Sequence, residues 1–253
     1  MKKKIIALML VLVLALEFAS CWKTEEKKTL TMATNAEFPP YEFYDNNEIV
    51  GIDAEIAAAI AEKRGLELVI EDMDFDSVVM SAATGKTDIA MAGITVSEER
   101  LESVNFTTSY ATGFQVVIVP EDSPIKSVDD LLVEGNNYTV GVQLSTTGDL
   151  YTTWDIEDEG LGTIDRYNKG ADAVMALVAG KVDCVVIDNE PAKVFVAQNE
   201  GLTILETEYV IEDYAIAVSK DNTELYEQVE KALTELIADG TVQSILDKYI
   251  AAE

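Results

Sequence analysis

The chain has 253 residues, with 47 Asp and Glu against 18 Lys and Arg, a formal net charge of −29 and no His. That length suits one large or two small domains with a real core, and 48% apolar residues mark the chain as folded rather than disordered. So strong a negative charge repels nucleic acid, and without His neither a Ser-His-Asp or Cys-His centre nor any His-ligated metal site can be built.

At the N-terminus, Lys2, Lys3 and Lys4 precede an unbroken apolar run over residues 5–16. The run is too short to cross a bilayer core about 30 Å thick, but it suits a secretory signal. It ends at Phe18-Ala19-Ser20-Cys21, which resembles the lipobox of bacterial lipoproteins, although Phe18 stands where Leu is usual. Residues 1–20 are therefore expected to be a signal peptide of lipoprotein type, with Cys21 the lipidated first residue of the mature chain. Ordinary cleavage nearby, with Cys21 unmodified, is the alternative. Residues 21–28, including Trp22-Lys23-Thr24-Glu25-Glu26-Lys27-Lys28, read as a polar tether. No later apolar run reaches the roughly 20 residues of a membrane span.

Strand-like and helix-like patterns alternate after the tether. Thr29 to Thr34 alternates polar and apolar residues as a strand does. Ile52, Ile56 and Ile60 stand at helical spacing in a helix predicted over residues 52–64, with Asp53 as N-cap and Gly65 as its stop. Residues 66–70 form the next strand. This alternation predicts an α/β fold of parallel sheets with helices on their faces.

Two segments then match. Met80-Ser81-Ala82-Ala83-Thr84-Gly85-Lys86-Thr87-Asp88 and Met175-Ala176-Leu177-Val178-Ala179-Gly180-Lys181-Val182-Asp183 share the pattern M-x4-G-K-x-D. Each reads as an apolar helix closed by Gly, a Lys suited to the helix C-terminal dipole, and a buried strand, at residues 89–92 and 184–187. Coincidence between two ordinary turns is one explanation; two similar α/β lobes is the favoured one. Five residues past each Asp come Gly93 and Asp188, both at the carboxyl end of a predicted strand. Open α/β sheets bind ligands there, so facing lobes would present both residues to one cleft. Cys184 reads as a small buried hydrophobe, and no intrachain disulfide is expected.

Arg64, Arg100 and Arg166 are the chain's Arg residues. Arg64 reads as surface capping at a helix end, and Arg166 as a solvated loop residue. Arg100 follows a buried strand, just after Ser97-Glu98-Glu99, which reads as a helix start. In so acidic a molecule an anionic ligand needs a local fork of donors, and Arg100 is the best candidate. A surface pair one helical turn away is its alternative role.

Ala36-Glu37-Phe38-Pro39-Pro40-Tyr41-Glu42-Phe43, Ile49-Val50-Gly51-Ile52-Asp53, Gly85-Lys86-Thr87-Asp88 and Ala92-Gly93-Ile94-Thr95-Val96-Ser97-Glu98-Glu99-Arg100 together carry a resemblance. With Val140-Gly141-Val142-Gln143-Leu144-Ser145-Thr146-Thr147-Gly148 and Tyr214-Ala215-Ile216-Ala217-Val218, they resemble the polar amino-acid-binding proteins of bacterial ABC importers, extracellular solute-binding proteins of family 3. The likeness runs from about residue 30 to 250 and is most like the glutamine-binding members. It implies a two-lobed periplasmic-binding-protein fold of type II, each lobe a sheet flanked by helices. Residues 29–113 with 211–253 would form lobe 1 and residues 114–210 lobe 2, the chain crossing near residues 112–117 and 210–213.

The resemblance also implies the site. Arg100 would grip a ligand α-carboxylate, with Thr95, Gly93 and, from the second lobe, Thr147 and the amide of Thr146 at a helix N-terminus. Asp188 would accept the α-ammonium, and Phe38 and Phe75 would sandwich the side chain. Asn35 stands where basic-amino-acid binders often carry an acid, so a neutral polar ligand ranks first and a basic one second. The same residues have plainer roles open to them: Phe38 and Phe75 in the core, Thr146, Thr147 and Asp188 as helix caps. Phe38, before Pro39-Pro40, is expected in a loop, which favours the binding role. No cofactor and no metal are implied. The expected protein is a monomer, secreted and lipid-anchored at the outer face of the cell membrane or periplasmic, that delivers its ligand to ABC transporter permease subunits. A cyclohexadienyl dehydratase-like enzyme, acting on prephenate or arogenate with Asp188 or Glu190 as general acid, is the alternative.

Overall fold

The computed structural model describes residues 28–250, so the signal peptide and Cys21 lie outside the described residues. Strand β1 (Thr29–Thr34) leads into a small antiparallel unit of β2 (Glu37–Phe38), β3 (Glu42–Asp45) and β4 (Glu48–Val50). Helix α1 (Ile52–Lys63), β5 (Glu67–Asp72), α2 (Phe75–Ala83), β6 (Ile89–Ala90), α3 (Glu98–Leu101) and β7 (Val104–Phe106) follow. A first sheet takes the order β5-β1-β6, parallel throughout, and is closed by β14 (Ala217–Ser219) and β7. Ile52, Ile56 and Ile60 on α1 are fully buried against Leu30, Met32 and Ile89, as their spacing of four requires. Val229 and Leu233 of α7 (Thr223–Ala238) complete this core, and α8 (Thr241–Tyr249) packs beside it.

The second sheet uses β8 (Ala111–Pro120), β9 (Thr139–Gln143), β10 (Thr163–Tyr167), β11 (Cys184–Asp188) and β12 (Leu202–Ile204) in the order β10-β9-β11-β8-β12. Successive residues of β8 face opposite cores: Val116 and Ile118 meet α5 (Gly170–Val178) and α6 (Asn189–Gln198), while Val117 and Val119 meet Ile125, Leu131 and Ile156. Covered on both faces, β11 is buried along its length and reads as a continuous apolar run ending in Asp188. Cys184 within it is a buried free thiol. Strand β13 (Val210–Tyr214) pairs antiparallel with β8, from Val210↔Gln115 to Tyr214↔Ala111. Along these two strands the chain passes from the first sheet to the second and back.

The repeated motif is one structural device used twice. Gly85 and Gly180 take φ of +71° and +66°, which closes each helix with a left-handed residue. Lys86 N then donates to Ser81 O and Lys181 N to Ala176 O, both at 2.9 Å. Asp88 Oδ2 accepts from Thr31 N at 2.8 Å, where β1 begins, and Asp183 Oδ2 accepts from Thr139 N at 2.8 Å, where β9 begins. Each Asp therefore ties the central strand it precedes, β6 or β11, to the parallel strand beside it.

Three expectations need correction. Asp53 is not the cap of α1; Gly51 is, at φ 124°, with a Cβ there only 2.2 Å from Tyr41 O. Asp53 is instead wholly buried and accepts Gly93 N at 2.9 Å, because an inward-facing carboxylate serves a buried amide better than a solvated helix end. Phe38 lies in β2 rather than a loop. Arg166 lies in β10 rather than a loop and, though exposed as expected, is paired: it donates to Asp149 at 2.8 Å and to Glu157 at 2.6 Å.

Candidate functional site

Between the two sheets lies a cavity lined by Asn35, Phe38, Phe75 and Gly93 on one wall and Thr146, Thr147 and Asp188 on the other, all expected from the sequence. Gln115, Gln143, Glu212 and Tyr214 also line it and were missed. The walls close on about 20 Å³, the room of a water molecule, so an amino acid can enter only when they part.

Arg100 is set by its helix start. Ser97 caps α3, its Oγ accepting Arg100 N at 3.2 Å, which turns the side chain inward until it is 9% exposed. The guanidinium donates through Nη1 to Thr95 O at 2.9 Å and through Nη2 to Ser145 O at 3.1 Å, and lies 5.6 Å from the Phe75 ring centroid. It thus bridges both walls and flanks the cavity beside Phe75. Burial lowers its affinity for its proton, yet a guanidinium stays cationic. Ser145 reaches it from a left-handed turn at φ 64°, held because Ser145 N donates to Asp149 Oδ2 at 2.8 Å. Arg166 secures Asp149 from behind.

Next to Ser145, Thr146 caps α4 (Thr147–Thr152) by accepting Asp149 N, so the cap role and the cavity position coincide. Thr147 Oγ1 donates across the gap to Thr95 Oγ1 at 2.8 Å, and Thr95 Oγ1 donates to Glu212 Oε2 at 2.5 Å. At the opposite end, Gln143 Nε2 donates to Asn35 Oδ1 at 2.9 Å and Asn35 Nδ2 to Met73 O at 2.9 Å. An ion pair of Lys169 with Glu37 joins the walls near this end.

Asp188 is also both cap and cavity residue. Fully buried, it caps α6 through Oδ1, which accepts Glu190 N at 3.1 Å, and its Oδ2 accepts the Tyr214 hydroxyl. Burial pushes its carboxyl up to about 8, against the pull of the Tyr214 bond and with Glu212 adding to the rise. A cation delivered beside it would restore the carboxylate. Gly113 makes room for this arrangement: a Cβ there would stand 2.5 Å from Asp188 Oδ2 and 2.6 Å from the Tyr214 oxygen. Phe38 touches the apolar cores of both sheets and stacks on Tyr41 at 5.9 Å between centroids. Behind Gly93, Glu42 and Tyr110 surround Asp53; burial raises all three, Asp53 to about 6.

A buried acid and a helix N-terminus therefore line one enclosed space, and a cationic fork stands beside it behind Phe75. That set complements a small molecule with an anion and a cation a few ångströms apart. Among the described residues, no group of three or more His, Cys, Asp or Glu could hold a metal ion, and no helix is long and apolar enough to cross a membrane. Gln115 and Glu212 left a faint signal, polar residues on the inward phase of β8 and β13. Gln143 ends an otherwise apolar strand.

The chain is 31% identical over 230 residues to the arginine-binding extracellular protein ArtP of Bacillus subtilis (strain 168), covering 90% of this chain and 88% of that one. Its fold matches an ancestral arginine-binding protein solved with arginine bound, at 36% identity and a TM-score of 0.82 over 89% of this chain and 99% of the other. The match to an ancestral arginine-binding protein bound to glutamine has 36% identity and a TM-score of 0.81, over 90% and 100%. An ancestral amino acid-binding protein described as a precursor of cyclohexadienyl dehydratase matches at 28% identity and a TM-score of 0.79, over 87% and 95%. The family model of the bacterial extracellular solute-binding proteins, family 3, spans residues 30–252, and the chain belongs to that family.

Proposed function

We propose that this protein captures one polar amino acid between its two sheets and presents it to the membrane subunits of an ABC importer. One observation carries the reading: Asp188 and Thr147 line one wall of a buried cavity and Phe75 the other, and the buried Arg100 guanidinium stands just outside it, against Phe75 and bonded across the gap to Ser145 O. Arg100 with the Thr147 amide end of α4 would take the α-carboxylate, and Asp188 with Thr95 the α-ammonium. Each charge loses water on closure, so each needs its partner. Phe38 and Phe75 would hold the side chain between them.

At the far end stand Asn35, Gln143 and the carbonyl oxygens of Met73 and Asn168. Their oxygens could accept from a guanidinium, and the two amides could serve a neutral amide. Relatives named for arginine, with one likeness bound to glutamine, fit the same chemistry. We rank arginine first and glutamine second, reversing the order that Asn35 alone favours. Titration calorimetry of the purified protein against the twenty amino acids tests this. Tightest binding of arginine or glutamine is expected, and an acidic or aromatic preference overturns it.

Dehydration is the second reading, since an Asp188 carboxyl raised to about 8 could act as a general acid. We favour a binder without enzymatic activity: prephenate and arogenate should remain unchanged, and the appearance of phenylpyruvate or phenylalanine would reverse that choice. A lipid on Cys21, outside the described residues, would keep the captured amino acid beside its transporter. Labelled palmitate should enter the wild type but not Cys21→Ser; equal labelling removes the anchor.

A further inference from the structure

Capture of a zwitterion uses the charges of Arg100 and Asp188 and leaves a third buried charged group in the same cavity. Glu212, on β13, is 3% exposed. Its Oε2 accepts the Thr95 hydroxyl at 2.5 Å, and Thr95 Oγ1 accepts from Thr147 across the gap at 2.8 Å. Among the described residues, its other oxygen, Oε1, is buried without a hydrogen-bond partner, and so is Oε1 of Gln115 beside it. A buried carboxylate oxygen without a donor of its own is costly to enclose. A single proton on Glu212 Oε1 turns that acceptor into a donor.

The groups facing Glu212 favour its charged form, but less than burial opposes it. Arg100 gives one donor to Thr95 O and another to Ser145 O. Asp188, at the end of β11, is itself an acid, and Tyr214, two residues along β13, gives its hydroxyl to Asp188. Once a zwitterion joins Arg100 and Asp188, an ionised Glu212 leaves the enclosed set with one negative charge in excess, in a space closed to water. A group so placed takes up a proton instead.

We propose that Glu212 is a positioning residue that enters the closed cleft as the neutral acid, so that each amino acid captured carries up to one solvent proton in with it. The proposal rests on the capture reading above. The proton comes from bulk water onto a carboxylate oxygen, and no bond of the ligand changes. As the neutral acid, Glu212 keeps its carbonyl oxygen on the Thr95 hydroxyl, leaving the Thr95 lone pair aimed at the ammonium. The direction of its titration agrees: burial raises the Glu212 carboxyl, outweighing the opposing pull of Thr95, Gln115, Arg100 and Tyr214.

The sign of the pH dependence follows. In the open form water reaches the Glu212 carboxyl and it holds its proton less tightly than in the closed form, where burial raises it. Below the open-form value both forms carry the proton and affinity is flat. Above it closure must take one up, so affinity falls with rising pH, by up to about tenfold per unit, until the closed-form value is passed. Titration calorimetry with arginine and with glutamine, over roughly pH 5 to 8 in buffers of different ionisation enthalpy, counts the protons. Any proton that Asp188 gives up to the ligand ammonium is common to wild type and variant, so the count is read as a difference. The wild type should take up as much as one proton more than Glu212→Gln, a neutral isostere, and its affinity should fall more steeply with rising pH. An equal count in the two proteins overturns the inference, and Glu212→Ala supplies the comparison if Glu212→Gln does not fold. Absence of heat with every amino acid would instead remove the capture reading beneath it.

Discussion

Arg100 holds two backbone carbonyls, Thr95 O and Ser145 O, in the closed form, so a ligand carboxylate must compete with them or share the fork. Arg100→Ala removes the buried cation on this cleft wall and leaves an incoming carboxylate unpaired. Affinity should fall by a hundredfold or more, on the order of 3–5 kcal/mol. Arg100→Lys keeps the charge without the planar fork and should fall between the two. Calorimetry with the preferred ligand measures both, and near-normal affinity in Arg100→Ala would remove this residue from the site. At this scale the sequence was legible where chemistry is rare. One of only three Arg residues, placed after a buried strand, stands out in so acidic a chain. Glu212 did not, because it is one of 47 acids and the stretch Ile211-Glu212-Asp213 looks like surface. Its burial arises only when β13 lies against β8. Asp188 and Thr146 are helix caps, one of the roles that the sequence left open to them, and both also line the cavity; Thr147 lines it without capping.

The elements were legible wherever a pattern repeats. The pattern M-x4-G-K-x-D marked two helix-turn-strand units, and both form with matching backbone bonds because Gly supplies a left-handed stop and Asp a tie to the neighbouring strand. What local pattern could not show is contact from afar. Asp53 has the composition of an N-cap, yet Gly93, forty residues on, claims its carboxylate. The start of α1 is instead shaped by Gly51, with Pro40 O, Tyr41 O and a φ of 124° leaving no space for a side chain. Gly51→Ala should therefore lose on the order of 3 kcal/mol of unfolding free energy. Gly180→Ala, also at positive φ but with nothing within 4 Å, should lose only about 1 kcal/mol. Equal losses in denaturant titrations would show that backbone strain alone, and not crowding by Tyr41, governs Gly51. Because α1 carries Asp53 to the Gly93 amide, the first variant should also weaken ligand binding, and the second should not.

Across the whole molecule, the two walls meet through contacts of unequal weight. Arg100 to Ser145 O, Thr147 to Thr95 and Gln143 to Asn35 are enclosed, while the Lys169–Glu37 pair is partly solvated, with side chains 44% and 29% exposed. The enclosed bonds form only after water has left and should dominate the closed state. The ion pair, screened by solvent, contributes about 1 kcal/mol or less. It sits in a chain of net charge −29, however, where closing the walls brings like charges together and a Lys at the rim offsets part of that repulsion. Lys169→Glu places a like charge against Glu37. Its ligand affinity should fall about tenfold at low ionic strength, with most of the loss recovered near 1 M salt, where the screening length shrinks to roughly 3 Å. Small-angle scattering supplies the independent measure. A saturating amino acid should compact the wild type, and Lys169→Glu should need more ligand to reach the same radius of gyration. If salt fails to restore its affinity, the pair acts through packing and not through charge. If neither protein compacts on binding, capture does not proceed by closure of the two sheets.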